Sequence, residues 1–236
     1  MNKTIAILTA MSVEHRQILA MLSDVREEQH GPYTYSIGLL GPNRIVLLQC
    51  GIGKVNATAG VVDLILHYRP QCVVSTGVAG GIDSHLEVMD VVVGTHTCHH
   101  DVWCGDGYEP GQVQGLPARF EGDPVLLRKA TGLQADVRIV PGLILTGDRF
   151  ITSHSEQQSL KQAYPDALAV DMESAAIAQA CYLYGLPFVS IRIISDTPGA
   201  EGHFQQYLNF WQTMADRSFS VTRAFLSSLL TLSHHC

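Results

Sequence analysis

The sequence predicts an α/β fold in which helices cover both faces of a mostly parallel sheet. Short apolar segments rich in β-branched residues alternate with longer segments of helical composition and period. Most of the short segments are apolar throughout, which is typical of strands that are covered on both faces. The chain has 236 residues, of which 46% are hydrophobic. It can therefore bury one large core, and we expect a single domain over residues 1–236.

The predicted strands and helices alternate along most of the chain. The apolar, β-branched segments predict strands over Thr4–Thr9, Arg44–Cys50, Cys72–Thr76, Val88–Gly94, Ile139–Thr146, Leu168–Asp171 and Pro187–Ser195. The segments with helical period predict helices over Ser12–Leu22, Lys54–His67, Ser155–Ala163, Glu173–Tyr184 and Phe204–Leu230. The segment Thr95–Phe120 has neither pattern and is too long for a passive connection, which makes it a candidate functional loop.

Composition and charge exclude several classes of protein. A formal net charge of −7 argues against a general nucleic-acid-binding protein, which would present a basic face. No segment approaches the roughly 20 apolar residues of a membrane span. The N-terminal segment reaches Glu14 and His15 before the core of a signal peptide is complete. The six cysteines are scattered and mostly lie in apolar segments, so we expect reduced thiols. These features predict a soluble cytoplasmic protein.

The residues that follow the predicted strands have the types that bind polar ligands. The glycine-rich segments "CGIGKV" and "TGVAGG" follow the second and third strands. In sheets of this kind, ligands bind at the carboxyl ends of the strands, so we expect these residues to meet at one edge. Acidic residues follow the other strands, and they are Glu14, Asp148, Asp171, Glu173 and Asp196.

Three familiar kinds of site are matched only in part or not at all. The glycine segments complete neither a dinucleotide-binding nor a P-loop motif, so each is first interpreted as a strand-to-helix turn. No G-x-S-x-G segment is present, which disfavours a triad hydrolase. The segment "HTCHHDVWC" lacks the paired spacing of zinc ligands, so we expect no metal at its candidate ligands His96, Cys98, His99, His100 and Cys104.

The acidic residues at the strand ends indicate cleavage of a glycosidic bond. A single carboxylate is explained as a solvated group or a helix N-cap. Three or more at successive strand ends are unusual in a chain with only 16% charged residues. Glycosidic cleavage needs one group to protonate the leaving group and another to activate water, while negative charge stabilises an oxocarbenium-like sugar.

Seven segments, in this order, resemble the 5′-methylthioadenosine/S-adenosylhomocysteine nucleosidases of the purine nucleoside phosphorylase superfamily. They are "ILTAMSVEHRQI", "CGIGKVNAT", "STGVAGGID", "HHDV…GYEPGQ", "TGDRFI", "AVDMESAAIAQ" and "RIISDTPG". The resemblance covers nearly the whole chain. It implies a purine nucleoside phosphorylase-like fold, a three-layer α/β/α sandwich around a twisted mixed sheet. It also implies a homodimer that needs no cofactor.

The resemblance further implies roles for individual residues. Glu14 matches the acid that activates water, Glu173 the acid that accepts from the ribose hydroxyls, and Asp196 the acid that protonates N7 of the purine. We expect a structural hydrogen-bonding role for Asp171. The residues that match substrate-binding positions are Met11, Ile52, Val78, Ala79, Gly80, Trp103, Phe150, Ile151, Met172, Arg192, Ser195 and Tyr207. Among them, Phe150 and Ile151 match the adenine contacts, and Tyr207 matches an aromatic residue that closes over the ligand.

Hydrolysis of 5′-substituted adenosines, with release of adenine, is the leading hypothesis. The charge of Glu14 would repel phosphate, although Arg16 and Arg192 could offset that repulsion. A purine nucleoside phosphorylase of the same fold is therefore one alternative, and a nucleotide- or metal-binding regulatory protein is another. Val78 stands where relatives commonly have serine. The loop "VWCGDGYEPGQVQG", which contains Trp103, does not determine which 5′ substituent the substrate carries.

Overall fold

The computed structural model describes residues 3–197, 203–213 and 215–229, and these form alternating strands and helices. The strands are β1 Thr4–Thr9, β2 Ser23–His30, β3 Tyr33–Leu40, β4 Asn43–Gln49, β5 Cys72–Gly81, β6 Val91–His99, β7 Phe120–Glu121, β8 Ile139–Thr146, β9 Ala167–Asp171 and β10 Phe188–Asp196. The helices are α1 Ser12–Leu19, α2 Lys54–Tyr68, α3 Pro124–Thr131, α4 His154–Ala163, α5 Ser174–Tyr184, α6 His203–Thr213 and α7 Ala215–Ser228.

The strands form one mixed sheet, which begins at its edge with β2-β3-β4-β1-β5 and then closes on itself. β5 pairs with both β9 and β10, while β6 and β8 complete the ring between them. The pairings β1–β4, β1–β5, β5–β10, β6–β8 and β8–β9 are parallel. The pairings β2–β3, β3–β4, β5–β9, β6–β7 and β6–β10 are antiparallel. The prediction of a mostly parallel sheet, which came from the sequence pattern, is therefore wrong. The mixed sheet implied by the resemblance is confirmed.

Alternating side chains of the central strands build a core on each face of the sheet. In β1, Ile5 and Ile7 pack in one cluster, and Ala6 and Leu8 pack in the other, because successive residues of a strand point to opposite faces. Helices α1, α3, α6 and α7 cover the first face, and α2 and α5 cover the second. The result is the predicted α/β/α sandwich. No helix within the described ranges is long and apolar enough to cross a membrane.

Two strands that the pattern did not predict, β2 and β3, form the exposed end of the sheet. β2 is an edge strand with the polar sequence SDVREEQH, so it lacks the apolar run of a buried strand. Short turns at residues 31–32 and 41–42 connect β2 to β3 and β3 to β4. Each turn begins with a glycine at positive φ, Gly31 at 54° and Gly41 at 55°. Two-residue turns of this kind are a hairpin signal.

Several predicted boundaries are also wrong. β5 continues to Gly81, so "TGVAGG" lies within the strand, where Gly80 and Gly81 pair with β9. β6 ends at His99 and not at Gly94, which reduces the irregular loop to residues 100–119. The long predicted helix Phe204–Leu230 is the two helices α6 and α7, and Leu230 lies outside the described residues. The unpredicted α3 has a clear start signal, because Asp123 Oδ1 accepts from the backbone N–H of Val125 and Leu126, both at 2.9 Å.

Candidate active site

A cleft of about 620 Å³, counted with its open mouth, lies at the carboxyl ends of β1, β5, β8, β9 and β10. Thirteen of the residues predicted for the site line it: Met11, Glu14, Ile52, Val78, Ala79, Gly80, Phe150, Ile151, Met172, Glu173, Ser195, Asp196 and Tyr207. The strand ends thus bring together residues that are up to 196 positions apart in the chain. Three of these residues, Glu14, Glu173 and Asp196, are carboxylates, and each is at most 7% exposed.

Glu14 joins the start of α1 to the middle of the sheet. Its Oε2 accepts from the backbone N–H groups of Ala10 and Met11, each at 2.9 Å, and its Oε1 accepts from the N–H of Val78 at 3.1 Å. A Cβ on Gly77 would lie 2.5 Å from Oε1, so the carboxylate fits only against a glycine. Burial raises the pKa of Glu14, and the backbone hydrogen bonds and the charge of Arg192 oppose that rise.

Glu173 is held by the glycine turn between β4 and α2. The backbone N–H of Gly53 donates to Glu173 Oε1 at 2.9 Å. Gly51 and Gly53 have φ of 92° and 94°, which favours glycine at both positions. Glu173 precedes α5, but its side chain makes no hydrogen bond to the first turn of that helix, so the N-cap interpretation is wrong for its carboxylate. Burial, followed by the charge of Asp171, raises the pKa of Glu173 to about 7.

Asp171 and Arg192 form a buried ion pair directly behind Glu173. Arg192 Nε donates to Asp171 Oδ2 at 2.7 Å, and Arg192 Nη2 donates to Ser75 Oγ at 2.7 Å. Asp171 Oδ1 also accepts from Thr146 Oγ1 at 2.6 Å and from the N–H of Ser174 at 3.1 Å. Both Asp171 and Arg192 are less than 10% exposed. Asp171 therefore has the hydrogen-bonding environment expected for a structural role, at the floor of the cleft.

Asp196 ends β10 and also lines the cleft. Ser195 Oγ donates to Asp196 Oδ1 at 2.6 Å, and Asp196 is only 1% exposed. The pairing of β10 with β5 shifts register between Ile194 and Asp196, and Asp196 pairs with Gly80. This irregularity lies at the position where the side chain of Asp196 enters the cleft wall.

Apolar side chains form the remaining walls. Ile52 and Phe150 are 51% and 45% exposed although they line the cleft, so their surfaces are accessible to a ligand. The ring of Phe150 lies edge-on to that of Tyr207, with centroids 5.7 Å apart. The hydroxyl of Tyr207 donates to Sδ of Met11 at 3.6 Å. The cleft therefore combines buried acids with an open apolar surface, which suits a flat, partly polar ligand.

Two predicted site residues do not line the cleft. Arg192 lies behind its acidic wall, as described above, and Trp103 is 61% exposed in the loop 100–119. Four further residues line the cleft: Ala10, Arg149 and Val170, which the prediction missed, and Asp171, for which only a structural role was expected. Ala10 and Arg149 stand beside the predicted site residues Met11 and Phe150, and Val170 and Asp171 directly precede Met172. Sequence position alone does not tell which neighbour of a site residue faces the ligand.

The histidine- and cysteine-rich segment is divided between the sheet and the loop. Cys98 and His99 are buried at the end of β6, where His99 Nε2 lies 2.9 Å from Gln179 Oε1, and Cys104 is exposed. Within the described ranges, no three His, Cys, Asp or Glu side chains are grouped so that they could hold a metal ion.

Comparison with known proteins agrees with this fold and cleft. The phosphorylase superfamily matches residues 4–227. A 5′-methylthioadenosine/S-adenosylhomocysteine nucleosidase of Chromohalobacter salexigens is 39% identical over 236 residues, which cover 98% of this chain and 100% of the relative. A nucleosidase of the same description from Geobacillus is 38% identical over 231 residues, which cover 95% of this chain and 98% of the relative.

Solved structures give the same result. The nucleosidase of Neisseria meningitidis in complex with methylthio-immucillin-A has a TM-score of 0.90 and 37% identity, with coverage of 96% of this chain and 100% of that one. The nucleosidase of Colwellia psychrerythraea in complex with adenine has a TM-score of 0.91 and 35% identity, with coverage of 97% and 96%. The chain therefore belongs to the phosphorylase superfamily and, within it, to the 5′-methylthioadenosine/S-adenosylhomocysteine nucleosidase family.

The raised pKa of Glu173 predicts how stability depends on pH. Between the usual pKa of a glutamate and about 7, the native protein keeps a proton that the unfolded chain has lost. The free energy of unfolding contributed by this group therefore falls as pH rises through that window. Glu173→Gln removes this group, so the variant should not lose this part of its free energy of unfolding as pH rises. In urea denaturation, we expect the free energy of unfolding of the variant, relative to that of the wild type, to increase by about 1–3 kcal/mol from about pH 5 to about pH 8.

Glu121→Gln is the matched control, because the side chain of Glu121 is 82% exposed. We expect this variant to show the same pH dependence as the wild type. Parallel stability profiles for Glu173→Gln and the wild type would contradict the prediction.

Proposed function

We propose that this protein hydrolyses the N-glycosidic bond of 5′-substituted adenosines and releases adenine and the 5′-substituted ribose. The expected substrates are 5′-methylthioadenosine and S-adenosylhomocysteine, the compounds in the names of its relatives. The observation that carries the proposal is that three buried carboxylates, Glu14, Glu173 and Asp196, share one cleft with an apolar wall. Related structures hold adenine or a nucleoside analogue.

The apolar wall would bind the base, and Glu173 would bind the sugar. The exposed faces of Ile52 and Phe150 can stack on a flat purine, and Tyr207 is positioned to cover it. Glu173 Oε1 is occupied by Gly53, and the same carboxylate can accept from the 2′- and 3′-hydroxyls of ribose. These hydroxyls would satisfy a group that is otherwise costly to bury.

Asp196 would act as the general acid. When the bond between C1′ and N9 breaks, its electron pair passes into the purine ring, and adenine leaves easily only if N7 gains a proton. Asp196, which lines the same cleft as Glu173, is proposed to donate that proton, and Ser195 Oγ donates a hydrogen bond to its Oδ1 at 2.6 Å. The sugar then carries positive charge, which the carboxylates of the cleft stabilise.

Glu14 would act as the general base. A water that attacks C1′ must lose a proton, and a carboxylate whose pKa is raised by burial is a better acceptor at neutral pH than an exposed one. Its three backbone hydrogen bonds fix the carboxylate in one position. Such preorganisation lowers the cost of bringing base and water together.

Water is favoured over phosphate because the backbone donors of the cleft are already bound to acids. Within the cleft, the N–H of Gly53 donates to Glu173 and the N–H of Val78 to Glu14, and next to it the N–H of Lys54 donates to Asp148. The glycine segments that resemble phosphate loops thus hold the protein's own carboxylates. A dianionic phosphate would meet negative charge at these positions. The nucleosidase names of the relatives agree with hydrolysis and with an enzyme, and not with the phosphorylase or regulatory alternatives.

The reaction can be tested by measuring base release from a panel of nucleosides. We expect the purified protein to release adenine from 5′-methylthioadenosine and S-adenosylhomocysteine at the same rate with and without phosphate. Adenosine and inosine should react more slowly, because they lack the 5′ substituent or the adenine base. Strict dependence on phosphate would show a phosphorylase, and faster release from inosine would overturn the proposed substrate class.

The proposed general acid can be tested with Asp196→Asn. Asparagine has the same shape and cannot donate the proton, so we expect kcat to fall by about 10²–10⁴-fold, while the melting temperature stays near that of the wild type. Asp136→Asn, which changes an exposed aspartate, should leave kcat unchanged. Turnover of Asp196→Asn close to that of the wild type would assign the proton to another group.

The proposed general base can be tested without altering Glu14 itself. In Gly77→Ala, the new Cβ would lie 2.5 Å from Glu14 Oε1 and would push the carboxylate away from Val78. We expect a loss of kcat of at least about 10²-fold, the size of a lost base. Gly94→Ala is the control, since its Cβ would lie 3.0 Å from the Ile144 methyl and 3.5 Å from Ser190 Cβ, and none of these residues lines the cleft. Equal activity of the two variants would argue against Glu14 as the base.

A homodimer is proposed from an exposed apolar surface on α2 and α5. Val55, Leu66 and Leu183 are 78%, 59% and 62% exposed, and they line a groove that also includes Val102 and Val113 of the loop 100–119. Contiguous apolar surface of this kind marks interaction sites. The resemblance implies a second copy of this chain as the occupant, and Trp103 in the same loop would then lie near the contact.

The dimer predicts the effect of a charge in the groove. We expect Leu183→Glu to shift sedimentation from a dimer to a monomer, because a buried unpaired carboxylate is costly at an interface. Val25→Glu, on the exposed edge strand β2, should leave the dimer intact. A wild-type protein that sediments as a monomer would contradict the proposed dimer.

The cellular setting is also proposed. Cys50, Cys98, Cys104 and Cys181 have free thiols, which fits a reducing compartment such as the cytoplasm. Release of adenine from 5′-methylthioadenosine would serve methionine salvage. Residues 1–236 would form one nucleosidase-like domain.

A further inference from the structure

Three charged residues outside the cleft connect two of the turns that line it. Lys54 is the first residue of α2, Asp101 follows β6, and Asp148 follows β8. Lys54 Nζ donates to Asp101 Oδ1 at 2.6 Å, the backbone N–H of Asp148 donates to Asp101 Oδ2 at 2.9 Å, and the backbone N–H of Lys54 donates to Asp148 Oδ1 at 2.7 Å. We name this group, Lys54, Asp101 and Asp148, the loop clamp.

Each of the two turns carries groups that face the cleft. The turn 51–54 provides Ile52 to the apolar wall and the Gly53 N–H to Glu173 Oε1. The turn 147–151 provides Phe150 and Ile151. The two turns belong to strands that do not pair with each other, since β4 pairs with β1 and β3, and β8 pairs with β6 and β9. The loop clamp is therefore a direct polar connection between the sugar side and the base side of the cleft.

The connection is geometrically tight at Gly53. A Cβ at this position would lie 3.0 Å from Asp148 Oδ1, and its φ of 94° favours glycine. The N–H groups of Gly53 and Lys54 are consecutive and donate to two different carboxylates, Glu173 and Asp148. Because two successive peptide groups share this turn, a movement of Asp148 changes the direction of the Gly53 N–H as well.

We infer that Asp101 is a positioning residue of the proposed nucleosidase. By holding the two turns together, it fixes the position of the sugar-binding Glu173 relative to the base-binding Phe150. Asp101 does not touch the ligand in this role. Its two carboxylate oxygens are used by different turns, so neither a hydroxyl nor an apolar side chain replaces it. The inference rests on the proposed function of the cleft.

Asp101→Ala tests the inference through catalysis. We expect kcat/KM for adenine release from 5′-methylthioadenosine to fall by about 10²-fold, the size of an error of about 1 Å in placement. Asp101→Asn retains one acceptor oxygen, so its kcat/KM should fall less than that of Asp101→Ala. Asp166→Ala is the matched control, since Asp166 forms a two-bond ion pair with Arg119, at 2.5 and 3.1 Å, and neither residue lines the cleft. We expect this control to keep wild-type kcat/KM.

The titration of Glu173, followed by the carboxyl ¹³C resonance in NMR, distinguishes positioning from general damage and needs no substrate. Removing the negative charge of Asp101 would by itself lower the pKa of Glu173. Losing the Gly53 hydrogen bond raises it, because that bond favours the charged form. We therefore expect the titration midpoint of Glu173 to be higher in Asp101→Ala than in the wild type, and to rise less in Asp101→Asn. The asparagine variant provides the test if the alanine variant does not fold.

The outcomes separate the two proposals. An unchanged or lowered Glu173 midpoint in both variants overturns the role of Asp101, and so does wild-type kcat/KM in Asp101→Ala. If the unaltered protein releases no adenine, the proposed function fails, while the titration still decides whether Asp101 positions Glu173.

Discussion

The ion pair between Asp171 and Arg192 is the interaction on which the cleft depends. Four carboxylates, Glu14, Asp171, Glu173 and Asp196, are buried within one region of the fold. Each would be costly to bury alone, and like charges at short range add to that cost. Arg192 pairs with Asp171 at 2.7 Å, and its charge also opposes the rise in pKa of Glu14 and Glu173. Breaking a buried pair of this kind typically costs about 3–5 kcal/mol.

Backbone N–H groups supply the rest of the compensation, and glycines make those groups accessible. Glu14 reaches the N–H of Val78 because Gly77 has no side chain, and Glu173 reaches the N–H of Gly53 in a turn at positive φ. The compensation is incomplete, since the pKa values of both carboxyls remain raised. The raised pKa fits the proposed role of Glu14 as a base, because a carboxylate with a raised pKa takes a proton from water more readily.

The same helices connect the cleft to the groove proposed as the dimer contact. α2 begins at Lys54 in the loop clamp and continues with Val55 and Leu66 on the apolar surface, and α5 begins beside Glu173 and ends near Leu183. Contact with a second copy at this groove would therefore rest on the elements that hold Glu173. In such an arrangement, the stability of the proposed interface and the geometry of the proposed sugar site would both depend on α2 and α5.

The amino-acid pattern predicted most of the alternation of strands and helices and the bounds of β1 and β8. It also predicted that the acids after the strands meet at one edge, and four of the five line the cleft, whereas Asp148 lies outside it. These features are local, because the spacing of apolar residues reports whether a segment is a strand or a helix. Residues that directly follow a strand lie at its carboxyl end, where ligands bind in sheets of this kind. Three features are visible only in the folded chain: the direction of strand pairing, the burial of Arg192 behind the acids, and the contacts of Asp101 with Lys54 and Asp148. These depend on which distant segments meet, and no local period encodes that. The polar edge strand β2 was missed for the related reason that its solvent-exposed side chains have no apolar pattern to recognise.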